Sequence, residues 1–230
     1  MSRRVIDLTQ PLSKDSQLHP FFPTVQILRH MQHADAKSPS DPSFNAEIII
    51  TSNHAATHVD ALAHFDNNPE APTIEEMPLD IFCGEAICID VREYPKAHEV
   101  TPQEIERALA AGKLDVREGD ILLFCTDHYN QTAGTPEFLN GFSGVAPESV
   151  AWMKEKGVKI FGVETISPDI VYENDEYKTH RACAETKITH YENLNNLKEV
   201  VNRRFDFFGF PLRLVPAAGS PIRAVGIIND

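Results

Sequence analysis

The sequence predicts an α/β domain of mixed, α+β-like character, with a mixed β-sheet core and flanking helices. Three observations carry this. Seven short apolar runs of strand character recur from end to end, two well-capped helices stand between them, and no Ser/Gly linker or shift of composition divides the chain. Residues 1–230 therefore read as a single domain.

In chain order, "VIDLT", "TVQILRHM", "AEIIITS" and "EAICIDV" read as strands. A helix follows at "TPQEIERALAAG", where Thr101 caps, Pro102 suits the first turn, Glu104 completes a capping box and Gly112 suits the stop. "DILLFCTD" is the next strand. The same grammar returns in "APESVAWMKEKG", opened by Pro147 and closed by Gly157, with Val150 and Met153 facing the core and Trp152 in a packing role. "KIFGVE" and "IRAVGII" complete the strands. No strict β-α-β rhythm and no internal repeat is visible. Polar segments at 33–45 and 128–142 are long enough for functional loops.

The formal charge of −13 argues against nucleic-acid or anionic-membrane partners, which need clustered positive charge. No run approaches a membrane span, and the N-terminal stretch lacks the apolar core of a signal peptide. Cys83, Cys88, Cys125 and Cys183 show neither C-x-x-C spacing nor disulfide-scaffold density, so a reduced cytoplasmic setting is expected.

The stretch "HAATHVDALAHF", residues 54–65, gathers three of the ten histidines and an aspartate among small side chains. On one helix, at about 100° per residue, Asp60 and His64 would point away from His54 and His58. On one strand, at roughly 3.3 Å per residue, His54 and His58 would lie some 13 Å apart. The chain must therefore curl if the four are to meet, and the intervening alanines permit it. Two imidazoles and a carboxylate form an N/O set suited to Zn2+ or Mn2+ with an open position, while chance clustering stays open on spacing alone. His30, His33, His98 and His128 read as surface or pocket residues, and His19, before a proline, as a loop residue.

The spacing resembles the H-x-G-T-H-x-D-x-P-x-H-F signature of the metal-dependent cyclase family, which includes bacterial kynurenine formamidases, isatin hydrolases and polyketide cyclases. Further stretches extend the resemblance over nearly the whole chain: "VIDLTQPLS", "GDILLFCTD", "FSGVAPESVAWMKEKGVKIFGVETISPD", "THRACAETKITHYENLNNL" and "GSPIRAVGI". It implies a swivelling β/β/α fold, one or two Zn2+ or Mn2+ ions, and a homodimer or dimer-based tetramer. It further implies His54, His58 and Asp60 on one metal, Asp60 bridging to a second held by His180 and Glu192, and His64 as the catalytic histidine.

Two family positions differ. Ala56 replaces the glycine and Leu62 the proline, so the curl is expected to form without a positive φ at 56 or a proline-fixed φ at 62. "CTDHYN" replaces a Thr-Gly-Trp-like segment, which places Asp127, His128 and Tyr129 in the expected substrate loop.

The implied activity is hydrolysis of a small-molecule amide C–N bond, with water activated by the metal and His64 as general base. An aryl formamide such as N-formylkynurenine is the leading substrate. Opening of a lactam or isatin-type ring, polyketide-type cyclisation and a metal-binding scaffold without turnover are the alternatives. A serine hydrolase is disfavoured, because no G-x-S-x-G elbow occurs and Cys125 ends a strand.

Overall fold

The most apolar runs form the centre of the molecule because strands covered on both faces need apolar side chains at both alternations. The computed structural model describes residues 2–170 and 176–229. In chain order it comprises β1 (Arg3–Asp7), β2 (Gln26–Met31), β3 (Ala46–Ile50), β4 (His58–Asp60), α1 (Leu62–Phe65), β5 (Cys83–Asp90), β6 (Glu99–Val100), α2 (Pro102–Gly112) and β7 (Ile121–Cys125). There follow α3 (His128–Thr132), α4 (Glu137–Asn140), β8 (Gly144–Val145), α5 (Pro147–Glu155), β9 (Ile160–Val163), α6 (Lys178–Thr186), β10 (Thr189–Glu192), β11 (Arg203–Phe208), β12 (Gly219–Pro221) and β13 (Val225–Asn229).

Among the described residues, nine strands make one sheet in the order β1-β13-β11-β5-β7-β9-β10-β4-β12. β5, β7, β9 and β10 run parallel, and antiparallel strands flank them on both sides. α2, α5 and α6 each connect consecutive members of the parallel set. A β-α-β rhythm therefore exists after all, confined to residues 83–192. Its third repeat escaped sequence reading because α6 and β10, though as long as α5 and β9, are rich in polar and histidine residues instead of apolar ones.

The alternation sorts the core into two layers. Ile87, Ile89, Leu122, Phe124 and Phe161 pack with Ile105, Leu109, Val150 and Met153 of the helices. Ala86, Cys88, Ile121, Leu123 and Ile160 face the other way, toward Leu8, Leu194, Phe205 and Phe207. That second face is covered because the sheet curls: β1 lies at one end of the strand order, yet Thr9 bridges Leu194 just past β10, and the Gln10 N–H donates to Thr57 Oγ1 at 2.7 Å.

The capping box of α2 forms, with Glu104 Oε2 accepting the Thr101 N–H at 2.8 Å. Its left-handed residue is Lys113, one position past the expected Gly112. Trp152 packs on the helical layer and donates Nε1–H to Glu106. Residues 128–142 are not an open loop but two short helices, α3 and α4, around Phe138, Phe142 and Ile166. All four cysteines are free.

Candidate metal centre

Three kinds of backbone converge on one point. His58 and Asp60 alternate on β4 and so share a face, and both are buried. His54 reaches the same point from the turn before β4, and His64 from α1 just after it. The turn works through Ala56, whose φ is +50°, against the expectation that an alanine would avoid the positive region. The strain is accepted because this conformation aims the Ala56 carbonyl at His58 Nδ1, 2.8 Å away. A carbonyl only accepts, so Nδ1 carries the proton and Nε2 faces the carboxylates. Leu62 occupies the first position of α1, the place where a helix favours proline, so the missing proline leaves the helix start intact.

The second half of the site comes from the end of the parallel sheet. Register sets Glu192 of β10 directly opposite His58 of β4. On α6, His180 donates Nδ1–H to the Asp169 carboxylate at 2.5 Å, which orients its Nε2 inward. Ligand sites favour the carboxyl ends of parallel strands, and Glu192 is the last residue of such a strand.

Asp60 joins the halves. Oδ1 lies 2.7 Å from His54 Nδ1 and 3.3 Å from His58 Nε2, while Oδ2 lies 3.7 Å from His180 Nε2 and 3.3 Å from His190 Nε2. Glu192 also faces both ways, at 3.3 Å from His58 Nε2 and 3.3 Å from His190 Nε2. Two donor groups result, His54–His58–Asp60 and Asp60–His180–His190–Glu192. The buried His58 Nε2 and Asp60 Oδ2 have no hydrogen-bond partner among the described residues, an arrangement that costs free energy unless a cation completes it. Nitrogen and oxygen donors without thiolate suit a borderline divalent ion. The residues present therefore fit a metal.

The protonation pattern is that of a site that exchanges protons for a cation. Burial alone would lower His58, but Asp60 and Glu192 outweigh it and hold the ring at about 10. Burial likewise lowers His180, and Asp169 and Asp60 raise it to about 9. Burial would raise Asp60, yet the surrounding imidazoles hold it well below the usual carboxylate range. Glu192, raised by burial and lowered by His190 and His58, falls to about 2.

His64 differs. It belongs to neither donor group, lies 3.8 Å from Asp60 Oδ2, and tilts against the His54 ring at 4.0 Å. Burial lowers it more than the Asp60 carboxylate raises it, and the charges of His54 and His180 add to the lowering, so it sits at about 4. It is neutral at neutral pH.

His190 is the donor that sequence reading missed. It sits two residues before Glu192 on β10, and period-two alternation places both on one face, which is the signal that could have found it. Gly219 of β12 is the other omission. A Cβ there would come within 2.8 Å of His54 Cε1.

A cavity of about 380 Å3 borders the cluster, with His54, His64, His180 and Glu192 in its wall beside Phe21, Phe22, Phe65 and Tyr177. Phe22 stacks on His54 at 5.4 Å. Asp127, His128 and Tyr129 are not in this wall. Glu164 accepts the N–H groups of Thr126 and Asp127. Asp127 accepts from Asn130 and pairs with Lys198, His128 Nε2–H donates to the Phe138 carbonyl at 2.9 Å, and Tyr129 packs on Phe138. The segment lies at one remove: Leu139, Asn140 and Phe142 wall a smaller chamber of about 250 Å3 that shares Phe21, Ile166 and Tyr177 with the larger.

The family model described as "Putative cyclase" matches residues 6–170. The chain is 28% identical to the kynurenine formamidase of Bordetella petrii over 223 residues, 97% of each chain. Isatin hydrolase A from Ralstonia solanacearum superposes with a TM-score of 0.85 at 25% identity, over 99% of this chain and 92% of that one. Isatin hydrolase A from Labrenzia aggregata, bound to benzyl benzoate, has a TM-score of 0.85 at 21% identity, over 99% and 94%.

Proposed function

The chain belongs to the cyclase family, and from that premise we propose that it is a metal-dependent hydrolase that cleaves the C–N bond of a small aryl formamide of the N-formylkynurenine kind. The observation that carries the reading is the pair of buried donor groups sharing Asp60 beside an aromatic cavity. His54, His58, Asp60, His180, His190 and Glu192 would hold one or two Zn2+ or Mn2+ ions. When bound, such an ion polarises the scissile carbonyl and makes water acidic enough to attack at neutral pH.

The chain's own groups supply the rest. The Phe22, Phe65 and Tyr177 rings hold the aryl group flat in the cavity and keep water from its faces. His64, neutral and next to Asp60, takes the proton from the attacking water at Nε2 and returns it to the leaving nitrogen. Ala56 and Asp169 fix the ring orientation of His58 and His180 throughout.

A panel of aryl formamides, lactams and isatin-type rings, assayed before and after chelation and after adding back Zn2+ or Mn2+, tests the reading. Metal-restored formamide hydrolysis is expected. Activity untouched by chelation contradicts it, turnover of rings alone moves the substrate to a cyclic amide, and metal uptake without turnover identifies a scaffold.

The solution form we propose is a homodimer in the reducing cytoplasm. β2 and β3 pair only with each other among the described residues, and their ribbon exposes Ile27, Leu28, Met31, Ile48, Ile49 and Ile50. A two-stranded ribbon with apolar side chains on both faces needs a cover, and a second copy supplies one.

A further inference from the structure

We propose that Arg181 selects substrates carrying a carboxylate on the aryl group, an inference that rests on the amide-hydrolase reading and adds to it the charge of the substrate. Arg181 follows the donor His180 on α6 and is the one Lys or Arg in the wall of the larger cavity. Tyr177, one helical turn earlier, stands in the same wall and accepts the Arg181 backbone N–H.

Several arginines elsewhere in this acidic chain are neutralised by carboxylates of the fold. Arg92, Arg117, Arg204 and Arg223 each pair with an aspartate, at 2.6, 3.0, 2.5 and 2.6 Å respectively. Arg181 has no such partner among the described residues. With a formal charge of −13 the protein repels anions in general, and an arginine in the wall beside the reactive centre, with no ion-pair partner among the described residues, offers one a local attraction there.

The chemistry of the wall defines the ligand. Aromatic rings accept an aryl ring, the donor cluster lies at one side, and the planar guanidinium matches a carboxylate with two parallel N–H donors. The occupant is an aryl amide with its scissile group at the cluster and an anionic substituent at Arg181. Neutral rings such as unsubstituted isatin or formanilide leave Arg181 unused.

Metal-loaded wild type, Arg181→Gln and Arg181→Lys are compared by calorimetry for 2-aminobenzoate and its neutral amide, and by kinetics for N-formyl-2-aminobenzoate and formanilide. Wild type is expected to prefer the acid of each pair. Arg181→Gln should lose about 10- to 100-fold for the acids, the scale of one charge-assisted contact, with the neutral ligands within about threefold. Arg181→Lys should recover part of the loss. Equal affinity of Arg181→Gln and wild type for 2-aminobenzoate, an equal loss for both members of a pair, or no wild-type preference for the acid overturns the proposal. Wild type that hydrolyses neither formamide removes the hydrolase reading, while the calorimetric comparison still decides the role of Arg181.

Discussion

Ala56 concentrates the tension between stability and site geometry in a single residue. Its φ of +50° is a conformation that costs a non-glycine residue roughly 1–2 kcal/mol, and it is held because the His58 ring is oriented by the Ala56 carbonyl. Ala56→Gly should therefore stabilise the protein by about 1 kcal/mol, less the greater entropy of glycine in the unfolded chain. Chemical denaturation reads this directly, and a destabilised variant would show that the alanine methyl contributes more by packing than the backbone loses. His64→Ala should keep its metal and lose about 10²–10⁴ in kcat, the usual contribution of a general acid–base group. Elemental analysis beside kinetics checks both halves, and loss of metal would make His64 a ligand. The need for a curl was legible because covalent geometry forbids His54, His58, Asp60 and His64 from meeting on a single helix or strand, and their roles came from the resemblance to the cyclase signature. His190 was not, since its meaning depends on lying on a strand whose sequence, THYE, lacks the apolar run that marks the others.

Elements explain why residues 127–129 differ from expectation. The helix pair α3–α4 buries His128 against Phe138 and Phe142, where burial lowers its pKa below 6.5 more than the Phe138 carbonyl raises it. The fold thus prefers the neutral ring. The stability this contributes is complete above the unfolded value near 6.5 and is lost as pH falls through the lower folded value. The denaturation midpoint of wild type should drop between pH 7 and 5 relative to His128→Gln, and parallel profiles would exclude His128 as the cause. β7 and β9 were readable because buried central strands are apolar throughout, the other runs because apolar residues cluster in them, and α2 and α5 because of the Thr101–Glu104 capping box, Pro102, Pro147 and the positive φ of Gly157. α6 and β10, whose sequences are spent on the site, carried no such pattern. The elements that make the chemistry were therefore the ones least visible as elements.

At the scale of the whole molecule, the curl of the sheet brings β1, β4 and β10 together, and the proposed dimer covers what the fold leaves apolar. Ile27 and Ile49 stand opposite each other in the ribbon, on one face. Replacing both by lysine should shift the mass in light scattering from two copies to one, while far-ultraviolet circular dichroism keeps the sheet. An unchanged mass would place the interface elsewhere. Order along the sheet was beyond sequence reading, because Thr9 and Leu194 meet through pairings 185 residues apart in the chain (194 − 9). The donor cluster is the centre of the molecule's chemistry. Anomalous scattering from crystals grown with Zn2+ or Mn2+ tests it most directly. The expected map has its peaks within His54–His58–Asp60 and Asp60–His180–His190–Glu192, about 3.5–4 Å apart if both are filled. A map with metal bound only elsewhere, and none touching Asp60, would contradict it.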